Sequence, residues 1–460
     1  MKKRFPRRVL LFNPPQYCVE DALRIWSLAY EANFPLAPLR FSSMLKASGV
    51  DVEFLDAFNV HPNTEASYRL LSGEDRLVRR APCGNDSREG VFKPVYHVGM
   101  LWEELAERLS RMKPPDEVWV SSIFTWSWQS THRAVDLLRR GFPRAQIRLG
   151  GIYPTLCGAQ AARTGARLHA GPIPEAESAW LDADILARRE GLEGIVLKTS
   201  RGCPHDCSYC AVHVIEGRAY HFRDPSEVLE ELDALHQRLR LGKIFFWESN
   251  LLLKPRRHIV RILEGLVARA GRYALQAPEG LQPGLITPEL AVLMRAAGFR
   301  DIRLTLETAD PARLKESGRP GTLAQLERAA RALLDAGFGA ADISIVLLVG
   351  QPRQTLDGVL RDIAHAYSLG LKTTFLAYSP IPGTRDFSAH RDLIGDRALE
   401  DLDSFLFPMA GPQLTVAALG GLFRAFNNRH IPLSRAAGAG SAPALLRALR
   451  EGARSGETPR

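Results

Sequence analysis

Between residues 195 and 379 the chain repeats one unit six times: a short apolar run followed by a stretch suited to a helix. The runs are "IVLKTS" (195–200), "KIFFWES" (243–249), "YALQA" (273–277), "DIRLTLE" (301–307), "DISIVLLVG" (342–350) and "KTTFLAYS" (372–379). Runs this short and this apolar read as strands buried on both faces. The clearest helices between them are 225–239, 288–297, 323–336 and 355–369. The first has an N-cap signal in Asp224, Pro225 and Glu227 and an apolar stripe in Val228, Leu232, Leu235 and Leu239. Strands joined by helices must run parallel, so residues 195–392 are predicted to form a partial parallel (β/α)6 barrel.

The first third alternates in the same way. Strands are predicted at 7–15, 50–58, 117–124 and 145–151, and helices at 35–49, 101–112 and 131–142. This pattern predicts an α/β, Rossmann-like domain over residues 1–170, with helices on both faces of a parallel sheet. A polar stretch at 59–99 reads as an irregular insertion or lid, and the Gly-, Pro- and Glu-rich residues 171–194 read as a linker. Residues 393–460 read as a helical C-terminal segment, ending in a polar tail at 451–460 expected to lack order.

Composition narrows the class. Apolar residues make up 45% and charged residues 24% of 460, as in globular proteins. No apolar run approaches the ~18 residues of a membrane span. The apolar run after the basic opening is too short for a signal peptide, so a cytoplasmic protein is expected. The net charge of +9 reads as an arginine-rich surface, and without a Lys/Arg block a nucleic-acid partner is not expected. Three of the six cysteines, Cys18, Cys83 and Cys157, are scattered, as in a reducing compartment.

The other three are concentrated in "TSRGCPHDCSYCAVH" (199–213), spaced C-x-x-x-C-x-x-C. A closed zinc site needs four ligands; His205 or His213 could complete a Cys3His set, and a buried unliganded trio is a further reading. A 4Fe–4S cube held by Cys203, Cys207 and Cys210 would keep one iron open. The position favours the cluster, because the motif follows the first barrel strand, and ligands in parallel α/β folds gather at the carboxyl ends of strands.

This segment resembles the radical S-adenosylmethionine (SAM) superfamily, whose signature has this spacing with an aromatic residue, here Tyr209, before the last cysteine. The resemblance implies a 4Fe–4S cluster on the three cysteines whose fourth iron chelates SAM, and reductive cleavage of SAM to a 5′-deoxyadenosyl radical. It also implies SAM contacts from Tyr209, from Glu248, Ser249 or Asn250 in "FFWESN" (245–250), and from Glu307 in "LTLETADPARLKESGR" (304–319). "LLVGQPRQT" (347–355) and "YSPIPGTRDF" (378–387) are similar to the family's fifth- and sixth-strand turns.

The first third resembles the cobalamin-binding domain that precedes the barrel in one subfamily, through "VLLFNPP" (9–15), "PLAPLRFSSMLKASGVDVEFLDA" (35–57), "VWVSSIF" (118–124) and "LGGIYPT" (149–155). This implies cobalamin contacts from Asn13, Trp126, Gly150, Gly151 and Tyr153. The cobalt-ligating D-x-H-x-x-G motif is missing: His61, His97, His132 and His169 have other surroundings, so no residue is assigned as a cobalt ligand. The resemblance implies a cobalamin-dependent methyltransferase acting on an unactivated carbon of a small molecule, such as a natural-product or tetrapyrrole-like intermediate. Its substrate would lie between the two domains, and its electron donor would be a flavodoxin or ferredoxin. A radical SAM cyclase or rearrangement enzyme and a non-catalytic zinc module are the alternatives.

Overall fold

The computed structural model describes residues 6–19, 35–58, 76–82, 92–189, 192, 194–269, 273–407 and 419–428. In chain order the first 170 residues contribute β1 (Arg8–Asn13), β2 (Gln16–Val19), β3 (Asp51–Asp56), β4 (Leu77–Pro82), β5 (Phe92–Val98), β6 (Glu117–Ser121), β7 (Gln146–Gly150) and β8 (Arg167–Leu168). Five of these form a parallel sheet in the order β3-β1-β6-β7-β8. Counted within the sheet this is the doubly wound order 2-1-3-4-5, whose topological switch lies between β1 and β6. Helices Leu36–Ala47, Trp102–Arg111 and Trp128–Gly141 cover it.

The reading of 59–99 as irregular is overturned for its described part. There β4 and β5 pair antiparallel with β2 as a separate three-stranded sheet. Charged residues on β4 and Pro94 near the start of β5 hide the strand signal.

The second half supplies β9 (Gly194–Leu197), β10 (Ser200–Arg201), β11 (His221–Phe222), β12 (Lys243–Phe246), β13 (Ala274–Gln276), β14 (Ile302–Glu307), β15 (Ile343–Val349) and β16 (Lys372–Ala377). Strands β9, β12 and β13 form one parallel group and β14, β15 and β16 another. Parallel bridges Leu275–Phe299 and Leu281–Leu304 join them, giving six barrel strands in sequence order. Between β9 and β12 the chain makes a small hairpin, β10–β11, and then the helix Pro225–Leu239. Asp224 caps that helix by accepting from the Ser226 N–H at 2.8 Å; the expected reciprocal box through Glu227 is not made.

One face of each barrel strand packs outward on the helices. Ile195, Leu197, Ile244, Phe246, Leu275, Leu304, Ile345 and Leu347 belong to one core with Val228, Leu232, Ile262 and Leu333. Phe246, fully buried, stacks on Phe299 with ring centroids 6.1 Å apart.

Residues 171–189 do more than connect. They form short helices Pro174–Glu177 and Ala183–Ala187, and Leu181 and Leu186 enter the barrel core. Asp182 caps the second helix and receives Ser42 Oγ and Lys46 Nζ, each at 2.6 Å. Of the C-terminal segment, 419–428 is helical; the polar tail lies outside the described residues. No helix among the described residues is long and apolar enough to cross a membrane.

Phe246→Ala should cost the barrel about 3–5 kcal/mol through lost burial and a residual cavity, read as a lowered urea midpoint by far-UV circular dichroism.

Candidate functional site

The cysteines sit on the loop that leaves β10 at the carboxyl end of the barrel. Cys207 is buried, and Cys203 and Cys210 are half-buried. Gly202 starts the loop with φ +82°; a Cβ there would lie 2.1 Å from the Ala219 carbonyl oxygen, so only glycine fits.

Each sulfur has polar neighbours: the His205 backbone and the Asn250 side chain beside Cys203, the Val212 backbone beside Cys210, and the Arg319 guanidinium beside Cys207. Burial raises the Cys203 thiol and raises Cys210 to about 11, and these neighbours offset part of this. Such neighbours favour the thiolate that a metal requires.

A zinc site would need its ligands converged on one point at about 2–2.3 Å. Among the described residues no three His, Cys, Asp or Glu side chains converge in that way. The ring of His205 is taken by Gln282 Oε1 at 3.2 Å. A cube spreads its thiolates over separate irons, and the loop supplies three cysteines for three of them.

Glu248, one of the three residues from which the resemblance implies a SAM contact, is committed to the chain itself. It is 1% exposed. Its oxygens accept from the Thr199 N–H at 2.5 Å, Thr199 Oγ1 at 2.9 Å, the Ser200 N–H at 2.9 Å and Ser200 Oγ at 2.5 Å. The carboxylate braces the β9 exit, and burial raises its pKa.

Thr199 Oγ1 also meets His258 Nε2 at 2.8 Å, and His258 Nδ1 meets the Tyr220 hydroxyl at 3.0 Å. Since Thr199 donates to Glu248, His258 must carry its proton on Nε2 and accept from Tyr220. Burial lowers its pKa to about 4.

Ser249 donates to Glu216 Oε2 at 2.7 Å, and Asn250 donates to Gln282 Oε1 at 2.8 Å. Glu216 also pairs with Lys198 and accepts from the Gly202 N–H at 3.0 Å. Ser249 and Asn250 therefore face the cysteine loop, as Glu248 does not.

Glu307 ends β14 at a bulge with φ +80°, a strained value for glutamate. Its Oε1 is 3.7 Å from Arg319 Nη1. Arg319 Nη2 donates to the Thr305 carbonyl at 3.0 Å and to Thr305 Oγ1 at 2.5 Å. The Tyr209 hydroxyl and Arg319 Nε are buried beside them without a partner. Burial and then the Glu307 charge raise the Tyr209 phenol. Cys207, Tyr209, Glu307 and Arg319 thus form one cluster. Arg319 lies inside a motif quoted from the sequence, but nothing there marked it as a ligand of the cysteine sulfur.

The N-terminal candidates scatter. Asn13 donates to Asp56 Oδ1 at 2.7 Å. Tyr153 is fully buried with its hydroxyl 2.9 Å from His132 Nε2, so its side chain is part of the core. Trp126 stacks on Phe124 and borders a small space of about 10 Å³ with Tyr17, Gln129 and Glu400; its buried Nε1 has no hydrogen-bond partner among the described residues. Gly150 and Gly151 do end an open strand. Gly151 has φ +106°, and a Cβ there would lie 2.3 Å from the Ser122 carbonyl oxygen. At the neighbouring end of β6, Ile123 is exposed. The carboxyl ends of β6 and β7 thus bring glycine backbone and an exposed isoleucine together.

The two halves face each other here. The helix Ile152–Leu156 follows β7 and packs on Val212–Ile215, which follows the cysteines; the turn at Gly383 lies against Leu156 and Val214. A larger groove of about 540 Å³, lined by Arg8, Glu53, Glu104 and Arg108, opens at the amino ends of β1 and β3, away from these groups.

A parallel six-strand barrel with an open three-cysteine loop, set against a doubly wound sheet, defines the class. Residues 197–365 match the sequence model of the radical SAM superfamily, and the chain carries a radical SAM domain. It is 26% identical over 219 residues to the uncharacterized methyltransferase PH0819 of Pyrococcus horikoshii, covering 46% of this chain and 45% of that protein. It is 30% identical over 147 residues to the hopanoid C-2 methylase of Rhodopseudomonas palustris, covering 31% of this chain and 26% of that one. The chain therefore spans less than half the length of these relatives. Its fold is that of the radical SAM methyltransferase TsrM from Kitasatospora setae. A TsrM structure with tryptophan and a SAM analogue superposes with a TM-score of 0.59 at 18% identity, over 85% of this chain and 77% of that one. TsrM has also been solved with cobalamin and a [4Fe-4S] cluster.

Below its ordinary value near 6.5 the unfolded chain protonates His258, and the folded chain does so only near 4. Stability is therefore present above about pH 6.5 and lost as pH falls toward 4, by up to about 3 kcal/mol. His258→Gln should flatten that part of the profile, measured as unfolding midpoint against pH.

Proposed function

We propose that this chain is a radical SAM methyltransferase that holds a 4Fe–4S cluster on Cys203, Cys207 and Cys210. Its cobalamin would lie between the two sets of strand ends, and its target is an unactivated carbon of a small molecule. The observation that carries this reading is the placement of the three-cysteine loop, at the barrel's carboxyl end and against the carboxyl end of a switch-point sheet.

When bound, the cluster supplies the electron that cleaves SAM reductively, and cobalamin supplies a methyl carrier. The chain's own residues do the rest. Asn250, Arg319 and the backbone of the loop lie beside the sulfurs and would tune the cluster's potential. Ser249, Asn250, Tyr209 and Glu307 are the polar groups that border the open corner, where SAM binds. Arg319 keeps Glu307 compensated in a buried setting. Gly150 and Gly151 admit the corrin close to the backbone. The substrate enters between the halves, where packed strand ends exclude water. A flavodoxin or ferredoxin reduces the cluster.

Anaerobically reconstituted protein should be brown, carry iron and sulfide in cluster proportion, and cleave SAM. Cys207→Ala should lose SAM cleavage to background while far-UV circular dichroism stays near wild type. Cleavage by that variant at the wild-type rate would remove the cluster assignment. With methyl-labelled SAM, label in a product together with S-adenosylhomocysteine supports methyl transfer; 5′-deoxyadenosine alone would replace it with a rearrangement.

A further inference from the structure

We propose that Gln282 is a positioning residue for the cluster: its side-chain oxygen gathers the Asn250 amide and the His205 ring near Cys203 and keeps a nitrogen donor turned to that sulfur. This deepens the cluster assignment given above and rests on it.

Gln282 has a fixed origin. It follows Leu281, which is buried and tied to β14. The Leu281 N–H donates to the Arg303 carbonyl at 2.7 Å, and the Leu281 carbonyl accepts from the Thr305 N–H at 3.0 Å and from Thr305 Oγ1 at 3.1 Å. On its other side Gln282 opens the short turn Pro283–Leu285, its carbonyl accepting from the Leu285 N–H at 3.1 Å. The backbone is thus held before and after the side chain.

Gln282 Oε1 meets two nitrogens from two other elements. Asn250 Nδ2, beyond the end of β12, donates to it at 2.8 Å, and His205 Nε2, in the cysteine loop, lies 3.2 Å away. The direction of each bond follows from the sulfur. A metal-bound thiolate accepts and never donates, so the Asn250 amide beside Cys203 must turn its nitrogen there. That nitrogen carries a second N–H, which goes to Gln282, so Gln282 must present its oxygen. An amide oxygen only accepts, so His205 carries its proton on Nε2 and donates it.

Gln282 therefore decides which end of Asn250 faces Cys203. Without that acceptor nothing in this set distinguishes the two ends of the Asn250 amide. A half turn would set its oxygen against the sulfur, a repulsion that grows when the cluster gains an electron. Hydrogen bonds to cluster sulfurs are one of the determinants of potential, and donors favour the more negative, reduced state. Loss of Gln282 makes the cluster harder to reduce.

The test uses the full chain, reconstituted anaerobically without SAM, and reads the cluster's midpoint potential by a dye-mediated titration. Gln282→Met keeps the side-chain length and removes the acceptor. At a fixed applied potential its reduced-to-oxidised ratio should fall at least threefold against wild type, about 28 mV on the one-electron scale of 59 mV per decade. In an Asn250→Ala background there is no amide to orient, and the same change should shift the potential by less than half as much. A purely structural role predicts equal shifts in both backgrounds. A fall of less than threefold, a rise, or a shift in the Asn250→Ala background of half the size or more overturns the proposal. If Gln282→Met takes up no cluster, Gln282→Glu, which restores an acceptor oxygen at the same length, must load iron to the wild-type level; an empty Gln282→Glu protein then overturns the proposal. Wild type that takes up no cluster instead overturns the function proposed above, and this inference with it.

Discussion

One buried carboxylate sets the geometry of the cysteine loop. Glu248 collects two backbone N–H groups and two hydroxyls from Thr199 and Ser200, the residues between β9 and the first cysteine. An ionised carboxylate inside a protein is costly unless its lone pairs are filled; charge-assisted donors fill all of them here. The consequence is directional: the β9 exit can leave the barrel along only one path, and the cysteines follow three residues later. The chain from Glu248 through Thr199 and His258 to Tyr220 extends the brace to the residues just before β11, so both ends of the cysteine excursion are tied to one point.

The two halves are held together by charge as well as by packing. Arg40, on a helix of the first sheet, is buried and donates to the carbonyls of Glu177, at 2.7 Å, and Lys198. Burial, and after it the nearby Arg223, lowers its pKa to about 10. Glu231, fully buried, holds Arg223 at 2.6 Å and the Leu181 N–H at 2.6 Å. Separation of the halves would take both carbonyl acceptors from the buried Arg40, and a buried cation without acceptors is costly, so this junction resists it. At the opposite side, Glu400 accepts from Trp128 at 2.7 Å and Gln129 at 2.9 Å, and Arg79 meets Asp401 at 2.7 Å. The segment after the barrel thereby returns to the first sheet.

Strand order and the cysteine loop were legible because apolar runs, caps and spacing are local properties. What the sequence hid was orientation. Glu248, Ser249 and Asn250 are adjacent, yet Glu248 turns to Thr199 and Ser200 while the other two turn to Glu216 and Gln282; they lie beyond the end of β12, where no strand period fixes which way a side chain points. Tyr153 sits beside a glycine turn but points into the core. Arg319 was unremarkable as a helix-following arginine, since its importance comes from meeting Cys207 and Thr305 across sequence gaps of more than ten residues. The sheet of β2, β4 and β5 was missed because Pro94 and charged neighbours break the alternation that a strand normally displays.

A six-strand barrel cannot close, and how its free edges are managed determines where a substrate enters. Strand β16 is one edge. Near its amino end, Asn427 of helix 419–428 imitates a neighbouring strand: its Oδ1 accepts from the Thr373 N–H at 2.9 Å and its Nδ2 donates to the Thr373 carbonyl at 2.7 Å. Phe423 packs on Phe375 in the same region. That half of the edge is therefore satisfied and covered, as an edge strand requires. Toward the carboxyl end the cover stops and Leu376 is left half exposed. The end of β16 that carries Leu376 is the carboxyl end, the side of the barrel on which the cysteine loop lies. The described helix therefore satisfies the edge at the end away from the cysteines.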